Sequence, residues 1–370
     1  MKEVYDIVVV GAGPAGSTAA RKLAEAGCSV LLIDQTRRIG DNVQCAEFVP
    51  RLIRKYASLC SMDIAQPVDG IQTWIEGRLA HRLQAPGFTI HRARWDKHLA
   101  EQAAAAGASL KTGVRVIERQ SDSALLAIDG ARKKVIRCRW VLGCDGPRSV
   151  VSGWLGNERQ PVSVALQYEL ALRKPLRDVA VYFESRFYGG YGWVFPKGGR
   201  ANVGLGVHQT LTANLEELLQ GFCRELVERQ ILSDQTVYRK TAGLIPCGGL
   251  VRRVAGGKLL LAGDAAGCTH PLTGGGIFNA VLSGRLAAEH IAGASDRAVE
   301  QQSAAGYGQS LDRILGRYLA TARQKLLARD ASWSTQPFDV NIRRNWIAFS
   351  EYYTGGVPEQ SIMEVQNGNC

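Results

Sequence analysis

The sequence predicts an α/β chain: a Rossmann-like nucleotide-binding domain built from separated pieces, an antiparallel β-sheet domain inserted between them, and a helical carboxyl-terminal segment. Three observations predict it. Residues 5–10 (YDIVVV) run directly into Gly11-Ala12-Gly13-Pro14-Ala15-Gly16. Residues 161–207 alternate apolar and polar positions, a period that suits antiparallel strands and not a doubly wound sheet. Gly263-Asp264 is followed ten residues later by Gly274-Gly275-Gly276, so the chain returns to nucleotide chemistry after the β-rich stretch.

In order, residues 5–10 are an apolar, β-branched run of the kind buried on both faces of a sheet. Gly11 makes the tight turn, Gly13 lets a pyrophosphate approach the backbone, and Gly16 lets the next helix lie against the strand. That helix covers residues 17–26 and stops at Gly27. A second strand, residues 29–33, ends in Asp34, placed to chelate the hydroxyls of an adenosine ribose. Residues 92–106 read as a helix and 109–111 and 113–118 as strands. Residues 123–128 and 134–139 form a hairpin around Asp129-Gly130, and 140–144 a buried strand. Residues 164–170, 179–183 and 201–207 supply the antiparallel sheet, residues 276–291 a helix, and 310–329 an amphipathic basic helix.

A glycine-rich turn alone says only that a dinucleotide pyrophosphate meets a helix N-terminus. The Gly263-Asp264 segment adds a carboxylate for a sugar-alcohol chain, and Gly274 to Gly276 a second nest of backbone amides. FAD, with a ribityl chain between pyrophosphate and ring, needs both; NAD needs neither. The cofactor expected is therefore FAD.

Composition fits this reading. The chain has 370 residues, 46% hydrophobic and 21% charged, enough for two interleaved domains. No apolar run approaches the ~20 residues of a membrane span. The first strand begins within five residues of Met1, leaving no room for a signal peptide, so a cytoplasmic protein is expected. Nine irregularly spaced cysteines, with no CxxC pair and no metal-ligand spacing, point to reduced thiols and no metal site. The formal net charge of +11 is scattered along the chain, which suits a solvated surface, an anionic membrane face or an acidic partner better than nucleic acid.

Further motifs stand in order: Ile39-Gly40, Val43-Gln44-Cys45-Ala46-Glu47, Arg92 ahead of Trp95-Asp96, and Cys144-Asp145-Gly146-Pro147-Arg148-Ser149. They continue with Gly190-Tyr191-Gly192-Trp193-Val194-Phe195-Pro196-Lys197-Gly198 and residues 261–280. On these residues the chain resembles the geranylgeranyl reductase family of FAD-dependent oxidoreductases, over about residues 1–297. That family is similar in architecture to p-hydroxybenzoate hydroxylase and belongs to the glutathione reductase type of FAD domain. The resemblance implies a discontinuous FAD domain (1–70, 91–160 and 241–297), a β-rich substrate domain (71–90 and 161–240) and a carboxyl-terminal extension (298–370). It implies FAD contacts at Ala15, Asp34, Cys45, Ala46, Phe48, Arg92, Val116, Asp264, Gly276 and Ile277. Among these, Arg92 has a donor fork suited to the pyrophosphate. The helix opened by residues 274–277 can stabilise negative charge on a reduced flavin.

Cys45 carries the most chemistry. An isolated trisubstituted alkene accepts hydride poorly, so its saturation needs a proton delivered to the other carbon; a thiol can supply it and Glu47 can reload it. His270 is a second candidate for proton transfer. Tyr191, Trp193 and Phe195 alternate along a strand and so share one face, which in the family lines the substrate cavity; the other reading is plain core. Two departures stand out. Phe48 follows Cys-Ala-Glu where archaeal lipid reductases have glycine, and Tyr188 stands where the family has proline. Both add aromatic bulk and open the door to a shorter or aromatic substrate.

Two activities follow from the resemblance. The first is reduction of isoprenoid C=C bonds on a lipid, quinone or chlorophyll-like substrate. The second is a flavin monooxygenase acting on an aromatic target, such as a tryptophan of a partner protein during tryptophylquinone maturation. Either needs a hydrophobic or aromatic substrate and an external electron donor, NADPH or ferredoxin, because a second dinucleotide fingerprint is missing. A transient contact with the inner membrane face or with a protein substrate belongs to the same expectation. Residues 298–370 read equally as a lid and as a packing surface.

Overall fold

The computed structural model describes residues 4–41, 43–293 and 297–354. Residues 355–370, the end of the predicted extension including Cys370, lie outside them. Two eight-stranded sheets organise the described chain.

The first sheet is ordered Ala255–Gly256, Leu259–Leu261, Arg132–Gly143, Val4–Val10, Val30–Asp34, Ser109–Thr112. Val4–Val10 is parallel to both of its neighbours and buried along its inner length, which is why it needs apolar residues at consecutive positions. Pro14–Glu25 packs on this sheet and against Ile277–Ala292. That contact requires small residues, because a Cβ on Gly284 would lie 2.2 Å from the Ala15 carbonyl oxygen. The expected hairpin forms, and its second strand and the buried strand expected after it are one strand, Arg132–Gly143. Its first half pairs with Ala124–Asp129, and its second half pairs with Val4–Val10 and Leu259–Leu261. The apolar half is enclosed by the parallel sheet and the charged half is not, so the sequence reads as two elements.

The second sheet runs Arg239–Pro246, Val162–Ala171, Arg200–Val207, Tyr191–Lys197, Asp178–Phe183, Ile64–Ile75, Arg78–Ile90, Phe48–Pro50. All pairs are antiparallel except Asp178–Phe183 with Ile64–Ile75. The chain passes through the first sheet between those two strands, and so long a crossover permits parallel pairing. One face of this sheet is covered by Leu215–Glu228, whose Leu219, Phe222 and Leu226 pack with Leu166, Tyr168, Leu170 and Val194. The opposite face carries the site.

The basic helix expected at 310–329 is part of a longer run. Arg297–Leu311 and Arg317–Ala331 are joined by a π-helical turn, Asp312–Gly316, and Phe338–Asn345 follows. Trp333, Ile342, Trp346, Phe349 and Tyr352 from this region pack with Ile75, Val181 and Phe183 of the second sheet. Among the described residues, no helix is long and apolar enough to cross a membrane.

Candidate active site

The glycines of the first turn have distinct constraints. A Cβ on Gly11 (φ 101°) would lie 2.2 Å from the Cys144 carbonyl oxygen, and one on Gly16 would lie 1.8 Å from that of Gly11. A Cβ on Gly13 would meet nothing within 4 Å. Gly11 and Gly16 are thus fixed by the fold, whereas Gly13 borders open space at the N-terminus of Pro14–Glu25. Asp34 braces this turn: one carboxylate oxygen accepts from the Ala12 amide at 2.8 Å, and the other from the amide and hydroxyl of Thr36.

The second nest lies across the site. Gly274 takes φ 64°, and Ile277–Ala292 begins immediately after Gly276. A Cβ on Gly276 would come within 2.7 Å of the Thr269 hydroxyl. That hydroxyl donates to Asp264 at 2.5 Å, and burial raises the Asp264 carboxyl above its usual range. An open cradle at Gly13, a helix N-terminus beyond Gly276 and a carboxyl at Asp264 fit the pyrophosphate, ring edge and ribityl chain of FAD. Val116 is buried in the core of the first sheet, on Val114–Ser121.

Between this nest and the second sheet is a cavity of about 300 Å³. Tyr191, Trp193 and Phe195 form one wall, with Cys45, Ala46 and Phe48 at one side and Gly274 to Ile277 at another. Tyr191 Oη donates to the Thr273 carbonyl at 2.6 Å, tying the aromatic wall to the glycine turn. Phe48 meets Phe195 edge to face, with ring centroids 6.3 Å apart. Trp346, Ile347 and Ala348 also line the cavity, so the carboxyl-terminal region contributes to it directly. Tyr188 behaves otherwise. It packs on Trp333 and His208, away from the cavity lining, so the bulk expected from it does not enter the substrate path.

Cys45 sits where the cavity meets the second sheet, and its sulfur accepts from the Glu47 amide at 3.2 Å. Burial raises its pKa and the nearby Arg92 charge offsets part of that rise, so the group is a thiol at neutral pH. Glu47 is placed differently from a proton reservoir. It holds a left-handed φ of 73°, and its carboxylate is committed to Lys197, the Asn202 side chain and the Arg92 amide. Arg92 in turn gives Nε and Nη2 to Asp96, both at 2.8 Å, so one edge of its guanidinium is occupied within the protein and the Nη1 edge is left to reach a ligand.

His270 lines the cavity but its Nδ1 accepts from the Thr273 amide at 3.2 Å. Burial drags its pKa down to about 3, so it is a neutral imidazole packed on the Tyr318 ring, with no acidic proton to give. Three residues without a sequence-assigned role complete the site: Gln167, Asn202 and Lys197. Gln167 donates to the Cys45 carbonyl at 3.1 Å, and Asn202 to the Ala46 carbonyl at 3.1 Å. Their strand positions alternate in the manner of solvent-facing residues, so the pattern alone does not mark them. Elsewhere, Cys60, Asp63 and His98 gather their side-chain heteroatoms, with Asp63 accepting from the other two in a hydrogen-bonded cap.

Residues 4–180 match the FAD binding domain model, and residues 163–243 match that of the geranylgeranyl reductase catalytic domain. The chain is 32% identical to the digeranylgeranylglycerophospholipid reductase of Methanosarcina acetivorans over 307 residues, 78% of this chain and 75% of that one. It is 34% identical to the enzyme of the same name from Methanocaldococcus jannaschii, over 78% of this chain and 77% of the other. Among solved structures, a geranylgeranyl bacteriochlorophyll reductase-like protein from Thermoplasma acidophilum superposes with a TM-score of 0.81 at 25% identity, covering 98% and 95% of the two chains. A flavin-dependent brominase at 15% identity and a TM-score of 0.75 shares the fold, with 99% of both chains covered.

Proposed function

The chain belongs to the geranylgeranyl reductase family, as an FAD-dependent reductase of isoprenoid carbon–carbon double bonds, and we propose that Cys45 is the acid that completes each reduction. Bound FAD supplies the hydride. The protein's own contribution is to bind the flavin, hold the alkene beside it and deliver a proton to the second carbon.

The single observation that carries this reading is the Cys45 side chain on the wall of an aromatic cavity that also contains the Gly274 to Ile277 turn. An isoprenoid chain gains about 25 cal/mol for each Å² of apolar surface it buries there. Enclosing it among Tyr191, Trp193, Phe195 and Trp346 also excludes bulk water from the reacting bond. In this reading Glu47 is a positioning residue: with Lys197 and Asn202 it fixes the Cys45-Ala46 backbone.

Electrons come from an external donor of the nicotinamide or ferredoxin class, because the sequence holds one dinucleotide fingerprint. The substrate is a lipid, and the net charge of +11 favours its collection at an anionic membrane face. Sedimentation with anionic against neutral vesicles, at low and high salt, tests that contact.

The activity is tested by reducing the FAD-loaded protein anaerobically and adding a geranylgeranyl lipid. A mass gain of two hydrogens for each saturated bond is expected without oxygen. A product formed only with O₂, and carrying oxygen, would replace this reading with the monooxygenase one.

A further inference from the structure

Cys45, Glu47, Gln167 and Thr241 border two separate spaces. On one side is the large aromatic cavity. On the other is a narrow chamber of about 10 Å³, lined further by Val43, Glu169, Asn202 and Arg239 and partly open towards solvent. That volume suits one water molecule, which needs two to four polar partners. The Thr241 hydroxyl and the Glu169 carboxylate line it together with Gln167 and Asn202, whose amide nitrogens are held by other partners and whose side-chain oxygens can accept.

A lipid in the large cavity displaces water from that side of the thiol. A donor used once per reduced bond must still be reloaded. Glu47 is unsuited to this, since its carboxylate is committed to Lys197, Asn202 and Arg92. Glu169 is better placed. It borders the chamber while its side chain keeps 18% exposure, and it accepts from Arg200 Nη1 at 3.0 Å at the solvent edge.

We propose that this chamber is the reprotonation route of Cys45, carrying a proton from Glu169 through one water to the thiolate. The inference rests on Cys45 being the proton donor. In the reduction the S–H bond breaks as the alkene carbon gains its proton, leaving a thiolate. The chamber water then gives a proton to sulfur as the Glu169 carboxylate relays one from solvent to that water, so no charge is left in the chamber. Electrons move only from the external donor through the flavin to the alkene, so the relay needs no further reductant.

The test is rapid mixing of FAD-loaded Glu169→Gln with excess dithionite and a geranylgeranyl lipid, without oxygen. The first turnover should run at the wild-type rate, because the thiol starts loaded. Later turnovers should slow at least about tenfold, and formate should restore them. Thr241→Val, which removes a water partner at nearly constant volume, should give the same burst. Arg200→Ala, which breaks the ion pair but keeps the carboxylate, should give none.

A second readout needs no turnover. After a pH jump on the oxidised protein, thiolate absorbance, taken as the difference from Cys45→Ala, should evolve more slowly in Glu169→Gln. Wild-type steady state in both chamber variants would overturn the route and leave Cys45 as donor. A slowed first turnover would also overturn it, since the defect would then lie in the chemistry. An unimpaired Cys45→Ala enzyme would remove the underlying reading instead.

Discussion

The indole Nε1 of Trp193 donates to the side-chain oxygen of Gln167 at 2.9 Å. Indole nitrogen is donor only, so this bond fixes the orientation of the amide. The amide nitrogen then faces the Cys45 carbonyl. The aromatic wall and the loop bearing the thiol are thus joined through one side chain. Trp193, 6% exposed, also lies over Gly204, where a Cβ would come within 2.4 Å of the ring. It is core and cavity wall together, and the two readings of the sequence do not exclude each other.

Trp193→Phe separates these roles. It keeps an aromatic wall but leaves the Gln167 oxygen unpaired, which costs about 1–3 kcal/mol in a buried setting. The melting temperature should fall, and kcat should fall more than KM rises, because the Cys45 loop loses its register. Thermal unfolding and steady-state kinetics on one preparation check this. A KM effect alone would mean that only the wall matters.

Gly13 and Gly16 should fail in different ways. Gly13→Val adds methyls to space that is open in the protein, so the chain should fold yet lose FAD. Gly16→Ala places a carbon 1.8 Å from a backbone oxygen, so it should fail to fold. Flavin absorbance and circular dichroism on the two variants distinguish the outcomes. A yellow, fully loaded Gly13→Val would contradict the phosphate cradle.

What the sequence reveals is local chemistry. The Gly11 to Gly16 turn, the Asp264 segment and the alternation of Tyr191, Trp193 and Phe195 each occupy one short stretch with a physical signature. Partnerships between distant strands leave no such mark. Gln167 lies 122 positions from Cys45, and Asn202 lies 155 from Glu47. Both alternate with apolar neighbours facing Leu215–Glu228, the same pattern a solvated face produces. Arg92 is legible as a donor fork, but not that Asp96, one helical turn on, takes one edge of it.

His270 gives a pH dependence with a definite sign. Unfolded histidine titrates near 6.5, whereas burial lowers the folded value to about 3. Between those values the unfolded state binds the extra proton, so stability is full above about 6.5 and is lost as pH falls towards 3. The effect is on the order of 5 kcal/mol over the whole window. His270→Gln, which can still accept from the Thr273 amide, should flatten the fall in melting temperature between pH 6.5 and 4. An unchanged slope would place the acid sensitivity elsewhere.

Phe48 sets the last prediction, on substrate choice. Its ring lines the cavity, meets Phe195 and packs so closely on Gly87 that a Cβ there would lie 2.7 Å away. The ring is therefore held in place from behind and takes up space that a lipid chain could otherwise use. Phe48→Ala should lengthen the cavity. Filling the vacated surface with additional isoprenoid carbons is worth about 0.8 kcal/mol for each buried CH₂. Two such groups correspond to roughly a tenfold change in affinity. The ratio of kcat/KM for a geranylgeranyl over a farnesyl substrate should rise by about that factor. The variant will also lose stability, so the measurement that decides is the ratio between two substrates on the same protein, which a general loss of folded enzyme leaves unchanged. An unaltered ratio would show that the chain does not reach Phe48 and lies along other parts of the lining, such as Ile71 and Leu83.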